Sequence, residues 1–189
     1  MSPDIDEAPL PGETPQATAL RLAEMKARAA AAQLPAGSER TLIIGADQVA
    51  TFDAHQIGKP GTHARALAQL RAMQGREVLF HSALCLFDTL TGHAQSEDII
   101  TRVRFRSFSD AQLNAYLLAE QPYDVAGSAR AEGLGIALID AIDASDPTAL
   151  IGLPLIALTR LLMAAGYALL QPQASHTSHT SQPNDTNTP

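Results

Sequence analysis

The hydrophobic pattern of this chain changes period several times, and each change predicts an element. Thr41-Leu-Ile-Ile-Gly-Ala-Asp47-Gln48-Val-Ala opens on an apolar, β-branched run that reads as a buried strand. The run stops at Gly45, just before a carboxylate that such a strand does not bury unpaired, so Asp47 is expected at the strand's carboxyl end. Val78, Phe80, Ser82, Leu84 and Leu86 alternate with other residues and predict a second strand, which turns at Asp88-Thr-Leu-Thr-Gly92. Ile99, Thr101, Val103 and Phe105 then alternate with Ile100, Arg102, Arg104 and Arg106, predicting a return strand with three arginines on one face. Ile136 to Ile142 reads as a further strand.

Helical spacing appears between these runs. Thr14 as N-cap and Pro15 at the first helical position start a helix with Leu22, Met25 and Ala29 on one face and Lys26 beside it, ended by Pro35-Ala-Gly37-Ser38. Thr62 caps a helix carrying Leu67, Leu70 and Met73, closed by Gly75. Ser109-Asp-Ala-Gln112 has capping-box spacing and starts a helix that faces inward with Leu113, Tyr116 and Leu117 and ends at Pro122. Pro154 starts a last helix through Leu158, Leu161 and Leu162 to Gly166. Strands and helices interspersed in this way predict one α/β domain over residues 1–170. From Gln171 the composition collapses to Ser, Thr, His, Gln, Asn and Pro, so residues 171–189 are expected to be a disordered tail, with His176 and His179 incidental to it.

Composition narrows the function classes. A chain of 189 residues is long enough to bury a core without metal or disulfide staples, and its formal net charge of −7 argues against a non-specific binder of nucleic-acid polymers. Its single cysteine, Cys85, lies in an apolar alternating run and reads as a core residue. One cysteine, with no charged-then-apolar leader and no long apolar span, predicts a cytoplasmic protein without a membrane partner.

The candidate chemistry gathers at three places. Asp47 at a strand end, with Lys59 in Ile57-Gly58-Lys59-Pro60 shortly after, offers a carboxylate and a cation where open α/β sheets bind ligands; a surface turn with both residues solvated fits the same letters. Asp124-Val-Ala-Gly127-Ser128-Ala-Arg130-Ala-Glu132-Gly133-Leu-Gly135 packs three glycines among polar residues, as a ligand-cradling loop or a tight turn does, without the spacing of a dinucleotide or Walker motif. The arginine stripe suits either a phosphate or an ion-paired sheet face.

Taken together, Ile44-Gly-Ala-Asp47-Gln48, Gly58-Lys59-Pro60, Phe105-Arg106, Ala126-Gly127-Ser128, Glu132-Gly133-Leu-Gly135 and Ile151-Gly-Leu-Pro-Leu155 stand in an order and spacing that resembles the Maf family of nucleoside triphosphate pyrophosphatases. The likeness runs from Ser2 to Gly166 and is strongest to the YceF-type branch, whose members hydrolyse 7-methyl-GTP. It implies a Maf/inosine-triphosphatase-like α/β fold, a mixed twisted sheet with flanking helices and the site in a cleft, and a possible homodimer. The implied reaction is hydrolysis of a nucleoside triphosphate between its α and β phosphates with a divalent cation, Mg²⁺ or Mn²⁺. Asp47 matches the family's catalytic aspartate, as proton acceptor or metal ligand; Lys26 and Lys59 match its site lysines; and Glu7 matches an acidic position that helps hold metal and phosphates.

Substrate choice follows from two positions of the same pattern. The dTTP- and UTP-preferring branch usually carries Thr after the catalytic aspartate and Gln before the Gly-x-Gly, whereas this chain has Gln48 and Glu132. A carboxylate accepts two hydrogen bonds from the N1–H and N2–H edge of guanine, and its charge favours the cationic ring made by N7 methylation. Family members also begin with a strand and helix bearing a Ser-x-Ser-Pro-x-Arg motif, and Ser2-Pro3 lies after that place. The resemblance therefore implies either a start codon assigned too late or an N-terminally truncated version of the fold, the latter with an unpaired sheet edge and exposed apolar surface. It leaves two alternatives to an active 7-methyl-GTP pyrophosphatase: a catalytically weakened nucleotide-binding regulator of cell division, and a dTTP or UTP pyrophosphatase.

Overall fold

A computed structural model describes residues 5–53 and 55–170, so the expected tail at 171–189 and the opening residues 1–4 lie outside the described residues. The elements, in order, are α1 (Pro15–Ala31), β1 (Leu42–Phe52), β2 (His55–Ile57), α2 (His63–Met73), β3 (Glu77–Asp88), β4 (Ala94–Phe105), α3 (Asp110–Glu120), β5 (Ile139–Ala144) and α4 (Leu155–Ala164). They are α/β as expected, with a five-stranded sheet ordered β2-β1-β3-β4-β5 and flanked by helices. Every pairing among the described residues is antiparallel.

The helix starts are chemical. The Thr14 hydroxyl accepts the Ala17 amide with Pro15 behind it, the Thr62 hydroxyl accepts the Arg65 amide, and Ser109 and Gln112 form a reciprocal capping box. α4, by contrast, is capped from a distance. The buried Asp146 carboxylate accepts the Ile156 and Ala157 amides at 2.7 and 3.2 Å and the Thr148 hydroxyl at 2.6 Å. Burial alone raises a carboxyl pKa, but these hydrogen bonds outweigh it and hold Asp146 below the usual aspartate value.

Strand alternation divides the core. Paired residues share a face, so Asp47 and Val49 of β1 stand with Ala83 and His81 of β3 on the side covered by α1. Ala19, Ala23 and Ala27 of α1 pack there on Val49, Ala83, Cys85 and Phe87, which places Cys85 in the core as predicted. On the opposite face Ala50, Val78, Phe80, Val103 and Phe105 pack under α2 and α3, while Leu84 and Leu86 pack under α4. The α1 stripe is rotated from the expected one: Thr18, Ala19, Leu22, Ala23 and Ala27 are buried and Met25 is exposed. Small alanines allow a closer approach than the Met25 side chain does.

Three further expectations are corrected by the structure. β1 does not end before Asp47 but continues to Phe52, because the carboxylate is paired within the sheet-helix interface. The Ile136–Ile142 run is split, with Leu134–Leu138 wound as a 3-10 turn and the strand confined to Ile139–Ala144. β4 begins at Ala94, five residues before the expected start, since Gln95 to Asp98 pair with β3 despite their polarity. The arginine stripe resolves to ion pairs along the β4–β5 edge: Arg104 reaches Asp140 at 2.7 Å, with Arg102 near Asp143 at 3.8 Å and Arg106 near Asp140 at 3.9 Å. Among the described residues β1 is paired on its outer side only over Ala50–Phe52, by β2, and Ile44 on the rest of that edge is 44% exposed.

Candidate active site

A cleft of about 500 Å³ opens where α1, the middle of β1, the loop after β2 and the 3-10 turn Ala126–Ser128 meet. Glu7, Lys26, Asp47, Gln48 and Lys59 line it together with Asp124, Val125, Ala126 and Gly152. Five of the six site residues expected from sequence are therefore brought together. The sixth, Glu132, lines a smaller recess of about 100 Å³ with Phe80, Ala129 and Leu150, and Gln48, Val125, Ala126 and Gly152 border both cavities. The two spaces therefore adjoin along a shared wall.

The first half is a charge cluster built around Lys26. Its ammonium donates to Asp47 Oδ1 at 2.5 Å and sits 2.9 Å from Glu7 Oε1, while Lys59 Nζ lies 3.5 Å from Glu7 Oε2. Gly45 makes this approach possible. A Cβ there would stand 2.1 Å from the Ala23 carbonyl oxygen and 2.7 Å from the Ala27 nitrogen, so any side chain would push away the turn of α1 that carries Lys26.

Burial and pairing compete in the cluster with opposite outcomes. At Asp47, whose side chain is 9% exposed, desolvation prevails over the Lys26 and Lys59 charges, helped by the Glu7 charge, and the carboxyl pKa rises. At Lys26, desolvation pulls down, but hydrogen bonds to Asp47 and Glu7 prevail and hold the ammonium protonated above its ordinary range. Glu7 is lowered chiefly by its hydrogen bond to Lys26. The result is a carboxylate more basic than a free aspartate, beside a Lys26 ammonium that stays charged.

Among the described residues no group of three His, Cys, Asp or Glu side chains is placed to hold a metal alone. Asp47 and Glu7 supply two hard carboxylates that meet on one ammonium. That donor set fits a Mg²⁺-type ion, which takes one or two carboxylates and completes its shell with water and phosphate oxygens.

The second half is shaped by hydrogen bonds. Asp47 and Gln48 are neighbours on β1 and so leave it on opposite faces. Gln48 Nε2 donates towards Ser82 Oγ at 2.9 Å and the Ala149 and Leu150 carbonyls, both at 3.1 Å, pinning the turn that precedes Gly152. Glu132 is half-exposed, with one oxygen 3.8 Å from Arg130 Nε. Arg130 also reaches Glu120 at 3.5 Å and Asp124 at 3.2 Å, and its amide donates to the Tyr116 hydroxyl at 3.1 Å. Gly135 lies so close to this segment that a Cβ would meet the Arg130 backbone at 2.4 Å. The glycine-rich loop is thus folded against an arginine hub, leaving the Glu132 carboxylate at the recess.

Three further residues at the site lie outside the sequence expectations: Asp124 and Arg130 of the glycine-rich loop, and Gln69 of α2. Gln69 donates to the Gly58 carbonyl at 3.0 Å and accepts the Ser128 hydroxyl at 2.5 Å. A polar residue on a helix otherwise read by its leucines carries no sequence signal for such a contact.

A family model described as Maf-like protein matches residues 1–165. A relative from Burkholderia thailandensis named 7-methyl-GTP pyrophosphatase is 68% identical over 175 residues, covering 93% of this chain and 81% of that protein. One of the same name from Burkholderia orbicola is 72% identical over 169 residues, 89% of this chain and 80% of its own length. Another, from Cupriavidus metallidurans, is 64% identical over 166 residues, 88% and 81% respectively.

Proposed function

The chain belongs to the Maf family, and from that premise we propose that it hydrolyses 7-methyl-GTP to 7-methyl-GMP and pyrophosphate. The observation that carries the reading is the continuity of the Lys26–Asp47–Glu7 cluster with a recess bearing the Glu132 carboxylate. One half suits a polyphosphate and the other a cationic base.

The chemistry follows from the charges. An incoming triphosphate competes with Asp47 and Glu7 for the Lys26 ammonium, and transfer of that ammonium to phosphate oxygens frees Asp47 Oδ1. Asp47 then takes a proton from a water that attacks the α phosphorus, while the bond to the α–β bridging oxygen breaks. Charge builds on the leaving pyrophosphate, where Lys26 and Lys59 stabilise it. Asp47 and Glu7 would hold a divalent cation, which would further neutralise the phosphate oxygens. Glu132 faces the guanine edge, and Gln48 sets the shape of the recess through the turn it pins.

Among the described residues no helix is long and apolar enough to cross a membrane. A cytoplasmic location and a homodimer belong to the same proposal; light scattering of the purified chain reports the latter. The deciding assay is pyrophosphate release from 7-methyl-GTP, GTP, dTTP and UTP with Mg²⁺ or Mn²⁺, with Asp47→Ala as control. Preferred release from 7-methyl-GTP that depends on Asp47 supports the reading, and equal release by wild type and Asp47→Ala removes it.

A further inference from the structure

Lys59 stands between an exposed Gly58 and a fully buried Pro60. Its side chain is 63% exposed, and a Cβ built on Gly58 would meet nothing within 4 Å. What holds the peptide before it is Gln69, whose Nε2 donates to the Gly58 carbonyl at 3.0 Å. Among the described residues this is the only side-chain hydrogen bond to the Gly58–Pro60 backbone. The other end of the same amide accepts the Ser128 hydroxyl at 2.5 Å.

Ser128 is fully buried and adopts φ +56, a left-handed conformation that costs a non-glycine residue energy unless its surroundings fix it. The turn it closes presents Val125 and Ala126 to both halves of the cleft. Gln69 therefore spans from the lysine-bearing loop to the wall shared by the phosphate and base sites. A backbone bond from Gly61 N–H to the Tyr123 carbonyl, 2.9 Å, ties the same two segments farther from the lysine.

We propose that Gln69 is a positioning residue that sets Lys59 at its working distance from the base recess. The proposal rests on the reaction assigned above, because it gives Lys59 the leaving pyrophosphate as its target. A lysine displaced by about 1 Å loses much of its hold on charge that develops only in the transition state, so the loss falls on turnover more than on substrate binding.

Gln69→Leu removes both hydrogen bonds at nearly constant size. The expected result is a kcat for 7-methyl-GTP about tenfold lower with KM within about twofold, and no further loss when the substitution is added to Lys59→Ala. A general structural role lowers kcat by the same factor in both backgrounds, and that outcome overturns the proposal, as does an unchanged kcat in the single variant. Calorimetric titration of the same four proteins with pyrophosphate needs no turnover. Gln69→Leu is expected to weaken pyrophosphate about threefold in the wild-type background and not in the Lys59→Ala background. Parallel weakening in both backgrounds, or none in either, overturns it. If the wild type releases no pyrophosphate from 7-methyl-GTP, the assigned reaction falls and the titration alone decides the role of Gln69. Gln69→Glu keeps the acceptor for Ser128 and loses the donor to Gly58; it replaces the leucine variant if that fails to fold.

Discussion

Asp47 gains its chemical character from conflict between burial and pairing, and its pH dependence follows. Desolvation raises its pKa against the pull of Lys26, so the protonated form, which cannot serve as the proposed base, persists to higher pH than in a free aspartic acid. A base works only when deprotonated. The kcat/KM for 7-methyl-GTP is therefore expected to rise with pH through the raised Asp47 pKa, its acid limb lying above the ordinary aspartate value of 3.8. Asp47→Asn removes the base and is expected to lower kcat by a factor on the order of 10² to 10⁴, measured by pyrophosphate release across that range. Glu132 poses a question of selectivity. Replacing it with Gln exchanges a charged acceptor for a neutral one, and about 1 kcal/mol of lost charge assistance corresponds to roughly a fivefold fall in the preference for 7-methyl-GTP over GTP. Steady-state kinetics with both nucleotides reads that ratio directly, and an unchanged ratio assigns recognition of the methylated ring to another group.

At the scale of elements, the site depends on how closely α1 lies on β1. Gly45 faces the Ala23 carbonyl so tightly that a methyl group has no room, and Lys26 rides on the same turn of helix. Gly45→Ala is expected to destabilise the fold by about 1–3 kcal/mol, the usual cost of overpacking, and to lower kcat/KM because Lys26 moves with the helix. Denaturant unfolding and the activity assay separate the two effects. The segment leading into α1 is held by Glu13, which meets Arg21 at 2.7 Å and accepts the Leu10 amide and the Thr18 hydroxyl, both at 3.0 Å. Chiefly through Arg21, these bonds lower the Glu13 pKa from 4.5 to about 2. Because the folded value is the lower one, the stabilisation is present above pH 4.5 and fades as pH falls towards 2. Hydrogen exchange of residues 8–14 is expected to accelerate over that window in the wild type and to be fast throughout in Glu13→Gln. These local features differ in how far the letters reveal them. The caps at Thr14, Thr62 and Ser109 are legible because donor and acceptor lie within three residues of each other. The paired, mid-strand position of Asp47 is not, since its partner Lys26 is 21 residues away on another element. The turn at Leu134–Leu138 escapes for a similar reason: its course depends on Gly135 lying against the Arg130 backbone, which hydrophobic periodicity does not register.

For the molecule as a whole, the alternation of a single strand creates two half-sites. Asp47 points to the α1 side of the sheet, where the proposed reading puts the phosphate chemistry, while Gln48, one residue later, sends its hydrogen bonds to the opposite side and lines the smaller recess. The protein carries a net charge of −7, so attraction for a polyanion does not come from its overall field, and the proposed reading assigns it to Lys26 and Lys59. The two halves share the wall of Gln48, Val125, Ala126 and Gly152, while Lys26 and Asp47 line only the first and Glu132 only the second. Pyrophosphate and 7-methylguanosine are therefore expected to stabilise the protein independently, each by about 2.7 kcal/mol at a hundred times its Kd, with increments in melting temperature that add when both are present. Lys26→Ala is expected to abolish the pyrophosphate increment alone, and Glu132→Gln to shrink the nucleoside increment alone. Thermal unfolding of the three proteins with each ligand tests the division. If either substitution removes both increments, the cleft is one cooperative pocket, and the assignment of the two faces of β1 to separate tasks fails.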